Sequence, residues 1–346
     1  MNADQFADWM PIRVYRAGGQ TMVDWCYLGA SRFTAPFFTD TIEQRLFTPF
    51  NLLFRRQTPI EALAELQAVS PGLAPTGFIF HMSRCGSTLV SQMLAALPQN
   101  IVISEAVPID LVLGANSFQP GVTDEERVDW LRGIIGALAR PRASQEKNFF
   151  IKFDSWHVLE LALIERAFPG VPWIFLYRNP VEVIVSQHRQ HGVHIVPGLL
   201  DPGRLGLDWP GLTGTSLQEY EVRVLARLCQ AALQFRGAAG LMVNYRQLPD
   251  AVYSIIARHF RIEFSPHEIE CMRQAAQFDA KDPSQRFEAD TRKKNLAAAD
   301  WMRQLAAQHL DPLYAQLEST RLATEVDCNV EAPDLQQARI EQAGVA

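Results

Sequence analysis

The sequence predicts an α/β protein in which a parallel β-sheet is flanked by helices. Five short apolar runs alternate with stretches whose apolar residues recur at helical spacing. The runs cover residues 77–81, 101–104, 149–153, 172–177 and 241–245. Continuous apolar runs are typical of strands that are buried on both faces, and strands separated by helices imply crossovers between parallel neighbours.

The first 70 residues do not follow this alternation. Two short apolar runs flank Gly18 and Gly19, which predicts a β-hairpin. We interpret residues 1–70 as a small β-rich N-terminal extension that packs on a main domain spanning residues 71–324. Residues 325–346 contain few large apolar side chains, so we expect a mobile tail there.

Composition and charge argue against several classes of protein. The 346 residues carry a net charge of −6 at pH 7, which argues against general binding to nucleic acid. None of the five cysteines has metal-ligand spacing, and their odd number indicates reduced thiols. No apolar run approaches the roughly 20 residues of a membrane span, and the N-terminus does not resemble a signal peptide. We therefore expect a cytoplasmic protein with no membrane span.

The first motif that carries chemistry is SRCGSTLVSQ, residues 83–92, which joins the first apolar run to a helix. Gly86 lets the backbone approach a ligand, while Ser87 and Thr88 place two hydroxyls and free backbone N–H groups at a helix start. Arg84 adds a cation that can hold a phosphate or sulfate through two hydrogen bonds. The alternative is that the two hydroxyls only cap the helix and that Arg84 is a surface residue.

A nucleotide-triphosphate loop is the natural competitor for this motif. Its pattern is G-x-x-x-x-G-K-[ST]. If Gly86 were the second glycine, the first would fall at His81 and the lysine at Ser87, so both are missing. The motif therefore favours an anion shorter than a triphosphate. A P-loop-like small-molecule kinase stays as an alternative function.

The second motif is RNPVEVIVSQ, residues 178–187, and it also follows an apolar run. Asn179 is a good N-cap, and Pro180 stands where proline is preferred in the first turn. Arg178 is left at the carboxyl end of the strand, where open α/β sheets bind ligands, and Ser186 lies two turns into the helix. These two residues can converge on a second anion. The stripe expected to face the sheet consists of Val181, Ile184, Val185 and His188.

Together, the two motifs resemble the cofactor-binding motifs of PAPS-dependent sulfotransferases, which have a P-loop NTPase-like fold. The first resembles the loop that holds the 5′-phosphosulfate of 3′-phosphoadenosine 5′-phosphosulfate (PAPS), and the second resembles the arginine–serine pair that holds the 3′-phosphate. The resemblance covers residues 76–300. It implies an enzyme that transfers a sulfuryl group from PAPS to an acceptor hydroxyl or amine, with adenosine 3′,5′-bisphosphate as product and no metal.

The resemblance also implies cofactor-binding residues. They are Arg84, Cys85, Gly86, Ser87 and Thr88 at the 5′-phosphosulfate, Arg178 and Ser186 at the 3′-phosphate, Tyr245 at the end of the fifth run, and Arg292 and Lys293 in a late basic cluster with Lys294. The alternative for that cluster is a solvated helix start. The chain departs from the family pattern where Met82 and Ser83 replace a common proline and Cys85 replaces the usual serine.

Glu105, Lys152 and Arg84 are the residues expected to take part in catalysis. Glu105 follows the second run, at a distance from the loop similar to that of the general base in tyrosylprotein and heparan-type sulfotransferases; Asp110 is a weaker candidate. The alternative for Glu105 is a capping or salt-bridging carboxylate. Lys152 stands in an apolar run and is costly to bury without an anion. The resemblance gives it a role at the leaving oxygen, and the alternative is an ion pair with Asp154.

Four histidines remain as further candidates. His157 is a second possible base, although its position equally fits a surface residue. His188, His191 and His194 are spaced three residues apart, but no carboxylate cluster accompanies them, so lining of the acceptor site is favoured over a metal site. The acceptor itself is not indicated by the sequence. A non-catalytic nucleotide-binding protein on the same fold is the third possible function.

Overall fold

The computed structural model describes residue 6 and residues 8–207, 212–235 and 240–324. Eight strands form two sheets within this part of the chain. The first sheet is antiparallel and consists of β1 (Trp9–Ala17), β2 (Gln20–Tyr27) and β3 (Arg56–Pro59). The second consists of β4 (Gly77–His81), β5 (Asn100–Ser104), β6 (Asn148–Lys152), β7 (Trp173–Tyr177) and β8 (Gly240–Asn244).

The second sheet has the order β5-β6-β4-β7-β8, and every neighbouring pair is parallel. The predicted α/β class and the five predicted strands are therefore confirmed, each with bounds within one residue of the apolar run. β4 lies at the centre, and the chain passes to β5 and β6 on one side before it crosses to β7 and β8. Ligands of such sheets bind outside the carboxyl ends of the strands, where the direction of winding reverses.

Helices cover both faces of the parallel sheet and surround the antiparallel sheet. They are α1 (Phe38–Leu46), α2 (Pro49–Leu53), α3 (Ala62–Val69), α4 (Ser87–Ala95), α5 (Val107–Leu113), α6 (Asp124–Leu138), α7 (Leu161–Ala167), α8 (Pro180–Arg189), α9 (Leu217–Gln234), α10 (Pro266–Ala275), α11 (Thr291–Ala297) and α12 (Asp300–His309). Residues 311–324 are also helical. No helix in the described ranges is both long and apolar enough to cross a bilayer.

The antiparallel sheet belongs to the same hydrophobic core as the main sheet. Val14 and Val23 from the hairpin are buried in one cluster with Leu131 of α6. Arg140, just after α6, donates a hydrogen bond to the carbonyl of Trp9 at 2.7 Å. The division into an extension and a main domain stays a prediction, and residues 325–346, where a mobile tail is predicted, lie outside the described residues.

The stripe predicted for α8 is displaced from the face that is buried. Val183, Ile184 and Val185 are buried, but Gln187 is also fully buried and His188 is exposed. The Gln187 amide donates to the Ser83 hydroxyl at 3.0 Å and accepts from the Gly192 N–H at 3.1 Å. A polar side chain therefore occupies an inward position, which a pattern of apolar residues does not reveal.

Candidate active site

The carboxyl ends of the central strands surround a cavity of about 340 Å³. Nine of the residues predicted for the site line this cavity: Arg84, Cys85, Gly86, Ser87, Thr88, Glu105, Arg178, Ser186 and Tyr245. They come from four separate segments of the chain, and both sequence motifs contribute. Lys152 lies directly behind the lining, whereas Arg292 and Lys293 are not part of it.

The loop between β4 and α4 has an unusual backbone. Ser83, Arg84 and Gly86 have φ values of 73°, 52° and 86°, all in the left-handed region. Non-glycine residues adopt this region at a cost, and such residues concentrate at functional sites. A Cβ on Gly86 would lie 2.8 Å from Leu248 Cδ1 and 2.9 Å from Tyr245 Cδ2, so the loop and the Tyr245 segment touch without space for a side chain.

The side chains of Cys85 and Arg84 in this loop point in different directions. The Cys85 thiol is buried and donates to the Leu176 carbonyl at 3.1 Å, so this residue faces the sheet with its side chain. Arg84 donates to the Gln190 carbonyl at 2.5 Å and has no carboxylate partner within the described ranges. Because α4 begins at Ser87, the first turn of that helix and the Arg84 guanidinium both border the cavity. This is a suitable place for an anion.

Glu105 forms an ion pair with Lys152 at the centre of the site. Its own φ is 55°, and the His81 Nε2 lies 3.6 Å from the same carboxylate oxygen. Burial would raise the pKa of Glu105, but the charge of Lys152 and the contacts with His81 outweigh burial and hold that pKa well below its usual range. The carboxylate is therefore ionised at neutral pH. Lys152 is 1% exposed and pairs with Glu105 rather than with Asp154, the partner that the sequence alternative named.

Asp110 and His157, the weaker candidates for a base, hold each other in a second polar cluster. The Asp110 carboxylate lies 2.9 Å from His157 Nε2 and accepts hydrogen bonds from Trp156 Nε1 and from Arg204, each at 2.8 Å. His157 is buried rather than a surface residue, and neither it nor Asp110 lines the cavity. Their contacts support the wall that carries Trp156.

Arg178 stands at the end of β7 with two carboxylates against its guanidinium. Its Nε donates to Glu182 at 2.7 Å and its side-chain NH₂ group donates to Asp290 at 2.7 Å. The guanidinium carbon lies 3.9 Å from the centroid of the Tyr245 ring. Sequence reasoning did not identify either carboxylate. Glu182 stands inside the second motif and was a visible signal, whereas Asp290 is distant along the chain.

The late basic cluster faces mainly outward. Arg292 and Lys293 are exposed, and Lys293 pairs with Glu288 at 2.7 Å on the surface. Lys294 is buried and pairs with Asp290 at 2.7 Å, because the helix that begins at Thr291 turns this position inward. The binding role predicted for Arg292 and Lys293 stays a prediction, but the inward member of the cluster is Lys294.

Lys281 and Phe287, from the loop before α11, line the cavity and were not predicted. The Lys281 ammonium lies 5.7 Å from the centroid of the Phe37 ring, and the Lys152 ammonium lies 5.0 Å from it. Burial lowers the pKa of Lys281 to about 8, and Arg84 adds to this effect. Neither Lys281 nor Phe37 belongs to a recognisable motif, so only the fold could reveal them.

The three spaced histidines separate in the structure. His194 lines the cavity, and burial lowers its pKa to about 3, so its ring is neutral. His188 and His191 are exposed, with ring centroids 6.4 Å apart. In the part of the chain that the structure describes, no group of three His, Cys, Asp or Glu side chains is arranged to hold a metal ion.

A second cavity of about 840 Å³ adjoins the first. The two share Leu89, Tyr245 and Phe287, and the second is also lined by Arg246 and Arg286. A ligand that starts at the loop before α4 can therefore continue past the Tyr245 ring.

Comparison with known proteins finds similar solved structures but no match by sequence. No family model matches the chain, and no curated protein matches it. Similar structures include the sulfotransferase STF9 from Mycobacterium avium, with 13% identity and a TM-score of 0.46, covering 73% of this chain and 81% of that chain. They also include a sulfotransferase from Alicyclobacillus acidocaldarius, with 16% identity and a TM-score of 0.39, covering 72% and 96%.

A third similar structure is the sulfotransferase domain of the Synechococcus PCC 7002 olefin synthase, with 17% identity, a TM-score of 0.39, and coverage of 72% and 95%. These neighbours are all sulfotransferases. Similarity at this level carries no inference about activity, so the functional conclusion depends on the residues of the cavity.

Proposed function

We propose that this protein is a PAPS-dependent sulfotransferase that transfers a sulfuryl group to an acceptor hydroxyl or amine by in-line displacement. The observation that supports this most strongly is that one cavity joins both anion motifs to an ionised carboxylate–lysine pair. A transferase of this kind needs two anion sites for the nucleotide, a base for the acceptor and a cation for the leaving oxygen.

The nucleotide is proposed to lie along the adjoining cavities. Arg84 and the first turn of α4 would hold the 5′-phosphosulfate, and Arg178 with Ser186 would hold the 3′-phosphate. The nucleoside would pass the Tyr245 ring, which borders both cavities. Arg178 already contacts two carboxylates, and we expect a phosphate to replace one of them. Asp290 is the one that can leave, since its side chain is 36% exposed and that of Glu182 only 2%.

The chemical step needs one proton transfer and one displacement. The acceptor oxygen forms a bond to sulfur while the bond between sulfur and the 5′-phosphate oxygen breaks, and the acceptor proton moves to Glu105. Lys152 would stabilise the charge that develops on the leaving oxygen. When the Lys152 ammonium turns to that oxygen, its ion pair with the Glu105 carboxylate weakens. Burial then raises the pKa of Glu105, so the carboxylate becomes a stronger base when one is needed.

Calorimetric titration of the full chain tests the cofactor half of this proposal. We expect adenosine 3′,5′-bisphosphate to bind roughly tenfold to over a hundredfold more tightly than adenosine 5′-monophosphate, because a contact to a charged group is lost in the latter. Equal affinities would remove the 3′-phosphate site. Tighter binding of ATP with Mg²⁺ would favour the kinase alternative, and tight binding without transfer from labelled PAPS to any acceptor would favour a non-catalytic protein.

A further inference from the structure

An exposed apolar segment lies away from the cavity, in the antiparallel part of the molecule. Among residues 47–54, five large apolar side chains are exposed. They are Phe47 (77% exposed), Phe50 (43%), Leu52 (52%), Leu53 (76%) and Phe54 (56%), and we call these five residues the apolar ledge. Contiguous exposed apolar surface of this kind marks sites of interaction with proteins or membranes.

The segment 47–54 that carries the ledge is held in place by Asn51, its one buried polar residue. The Asn51 side chain accepts the Tyr27 N–H at 2.8 Å and donates to the carbonyls of Tyr27 and Arg45, each at 2.9 Å. The Phe50 ring lies 4.6 Å from the Tyr27 ring. The short helix α2 therefore turns Asn51 toward the protein and Leu52 and Leu53 toward solvent, the reverse of an ordinary surface helix.

The segment that carries the ledge is more basic than the chain as a whole. Residues 44–60 contain three arginines and no Asp or Glu, with exposed Glu43 and Glu61 at its two ends, whereas the chain carries −6. Arg45 and Arg55 have no ion pair within the described residues. Arg45 lies in the last turn of α1 and Arg55 follows α2, so the two arginines stand on either side of the ledge along the chain. Carboxylates are also nearby: Glu43 lies one helical turn before Phe47 on α1, and Asp8 accepts a hydrogen bond from the Tyr27 hydroxyl at 3.5 Å.

We propose that the apolar ledge binds the surface of an anionic lipid bilayer. The Phe and Leu side chains would enter the boundary between headgroups and acyl chains, and Arg45 and Arg55 would contact lipid phosphates. Peripheral attachment needs an apolar and a basic signal together, and this segment carries both. A second copy of the chain fits less well, because a two-fold interface centred on the ledge would bring the same arginines together. This inference is independent of the proposed function.

The position of the ledge has a consequence for the cavity. Phe37, the N-cap of α1, lines the cavity, and α1 leads directly to Phe47 at its other end. A helix of nine residues is about 14 Å long. Attachment through the ledge would therefore hold the wall of the cavity that contains Phe37 about the length of α1 away from the lipid surface.

Co-sedimentation of the full chain with vesicles tests this proposal. One set contains phosphatidylcholine alone and the other contains phosphatidylcholine with phosphatidylglycerol. We expect the wild type to sediment with the anionic vesicles and to be released by high salt, which screens the arginines. Phe47→Asp and Leu53→Asp should each weaken the partition at least about tenfold. Val69→Asp, at an exposed apolar residue outside the ledge, should leave it unchanged.

Arg55→Glu should weaken binding to anionic vesicles while the melting temperature of the protein stays that of the wild type. Failure of the wild type to sediment with anionic vesicles would overturn the proposal, and so would equal binding to neutral ones. Light scattering provides a further test: a dimer that Leu53→Asp converts to a monomer would assign the ledge to a second copy instead.

Discussion

The carboxylate of Asp290 lies 2.7 Å from the guanidinium of Arg178, the residue that we assign to the 3′-phosphate of the nucleotide. Asp290 also pairs with Lys294 at 2.7 Å. In the proposed mode of binding, this carboxylate between two cations occupies the position that a phosphate oxygen would take. Binding of the nucleotide then includes the cost of displacing Asp290, and its displacement leaves both Arg178 and Lys294 available to the phosphate.

Asp290→Asn should therefore bind adenosine 3′,5′-bisphosphate more tightly than the wild type. We expect a gain of about twofold to fivefold, in the range of a partly exposed ion pair. Glu288→Gln is the matched control, because Glu288 pairs with Lys293 on the surface and does not contact Arg178. Calorimetry on the three proteins measures the effect. Weaker binding by Asp290→Asn would mean that Asp290 organises the site and is not displaced.

Gly86→Ala should abolish most of the affinity for adenosine 3′,5′-bisphosphate. The added Cβ would lie within 3 Å of Leu248 and Tyr245, and the φ of 86° is unfavourable for alanine. Gly121→Ala separates the steric clash from the unfavourable φ, since Gly121 has a φ of 84° and nothing within 4 Å of an added Cβ. Both variants should lower the melting temperature, but only Gly86→Ala should lose nucleotide binding. Equal binding by the two variants would show that the loop does not need close approach to Tyr245.

The main sheet was predictable because its strands are apolar throughout. Each run in the sequence became one buried strand, and the carboxyl ends of those strands meet at one edge. The two motifs therefore located Arg84 and Arg178 in one cavity. No such rule indicated the left-handed φ values of Ser83 and Glu105, because the residues typical of that conformation are glycine and, less often, Asn and Asp.

Contacts between distant segments account for what was missed. Lys281, Phe287 and Asp290 reach the site from a loop with no strand or helix of its own, so no periodicity points to them. The sequence indicates Arg292 and Lys293 by their charge, and their binding role stays a prediction. It does not give the phase of α11, whose start at Thr291 turns Lys294 inward. Glu182 lies inside the second motif, but the sequence does not indicate that it pairs with Arg178. A buried partner for Arg178 follows from packing rather than from spacing.

Acid should weaken the fold through Glu105. Burial raises the pKa of this carboxyl, but Lys152 and His81 outweigh burial, so the folded pKa lies below the unfolded value of about 4.3. Such a group stabilises the fold above its unfolded pKa, and the stabilisation is lost as the pH falls through the folded pKa. Glu105→Gln should be less stable than the wild type at pH 7, because buried Lys152 loses its anion. The difference in melting temperature should narrow below about pH 4; a constant difference would contradict the ion pair.

The same substitution tests the mechanism. An acceptor hydroxyl is a poor nucleophile while it holds its proton, and a positioned carboxylate that accepts the proton in the transition state contributes about 10²–10⁴ in rate. Glu105→Gln preserves the shape of the side chain and removes its basicity. We expect turnover, measured as transfer from labelled PAPS to an acceptor found by screening, to fall by about that factor. The affinity for adenosine 3′,5′-bisphosphate should change little, because the base contacts the acceptor and not the nucleotide.

Two controls separate the base from its alternatives in this measurement. Asp110→Asn alters the second polar cluster, in which neither Asp110 nor His157 lines the cavity, so its turnover should fall far less than that of Glu105→Gln. Lys152→Met should lower turnover as well, but through the leaving oxygen, and a donor with a better leaving group than the nucleotide should restore part of the rate only in that variant.

Near-normal turnover of Glu105→Gln would make Glu105 a structural carboxylate. Loss of nucleotide affinity in Glu105→Gln would show instead that the ion pair with Lys152 organises the loop, because the φ of 55° at Glu105 depends on its contacts.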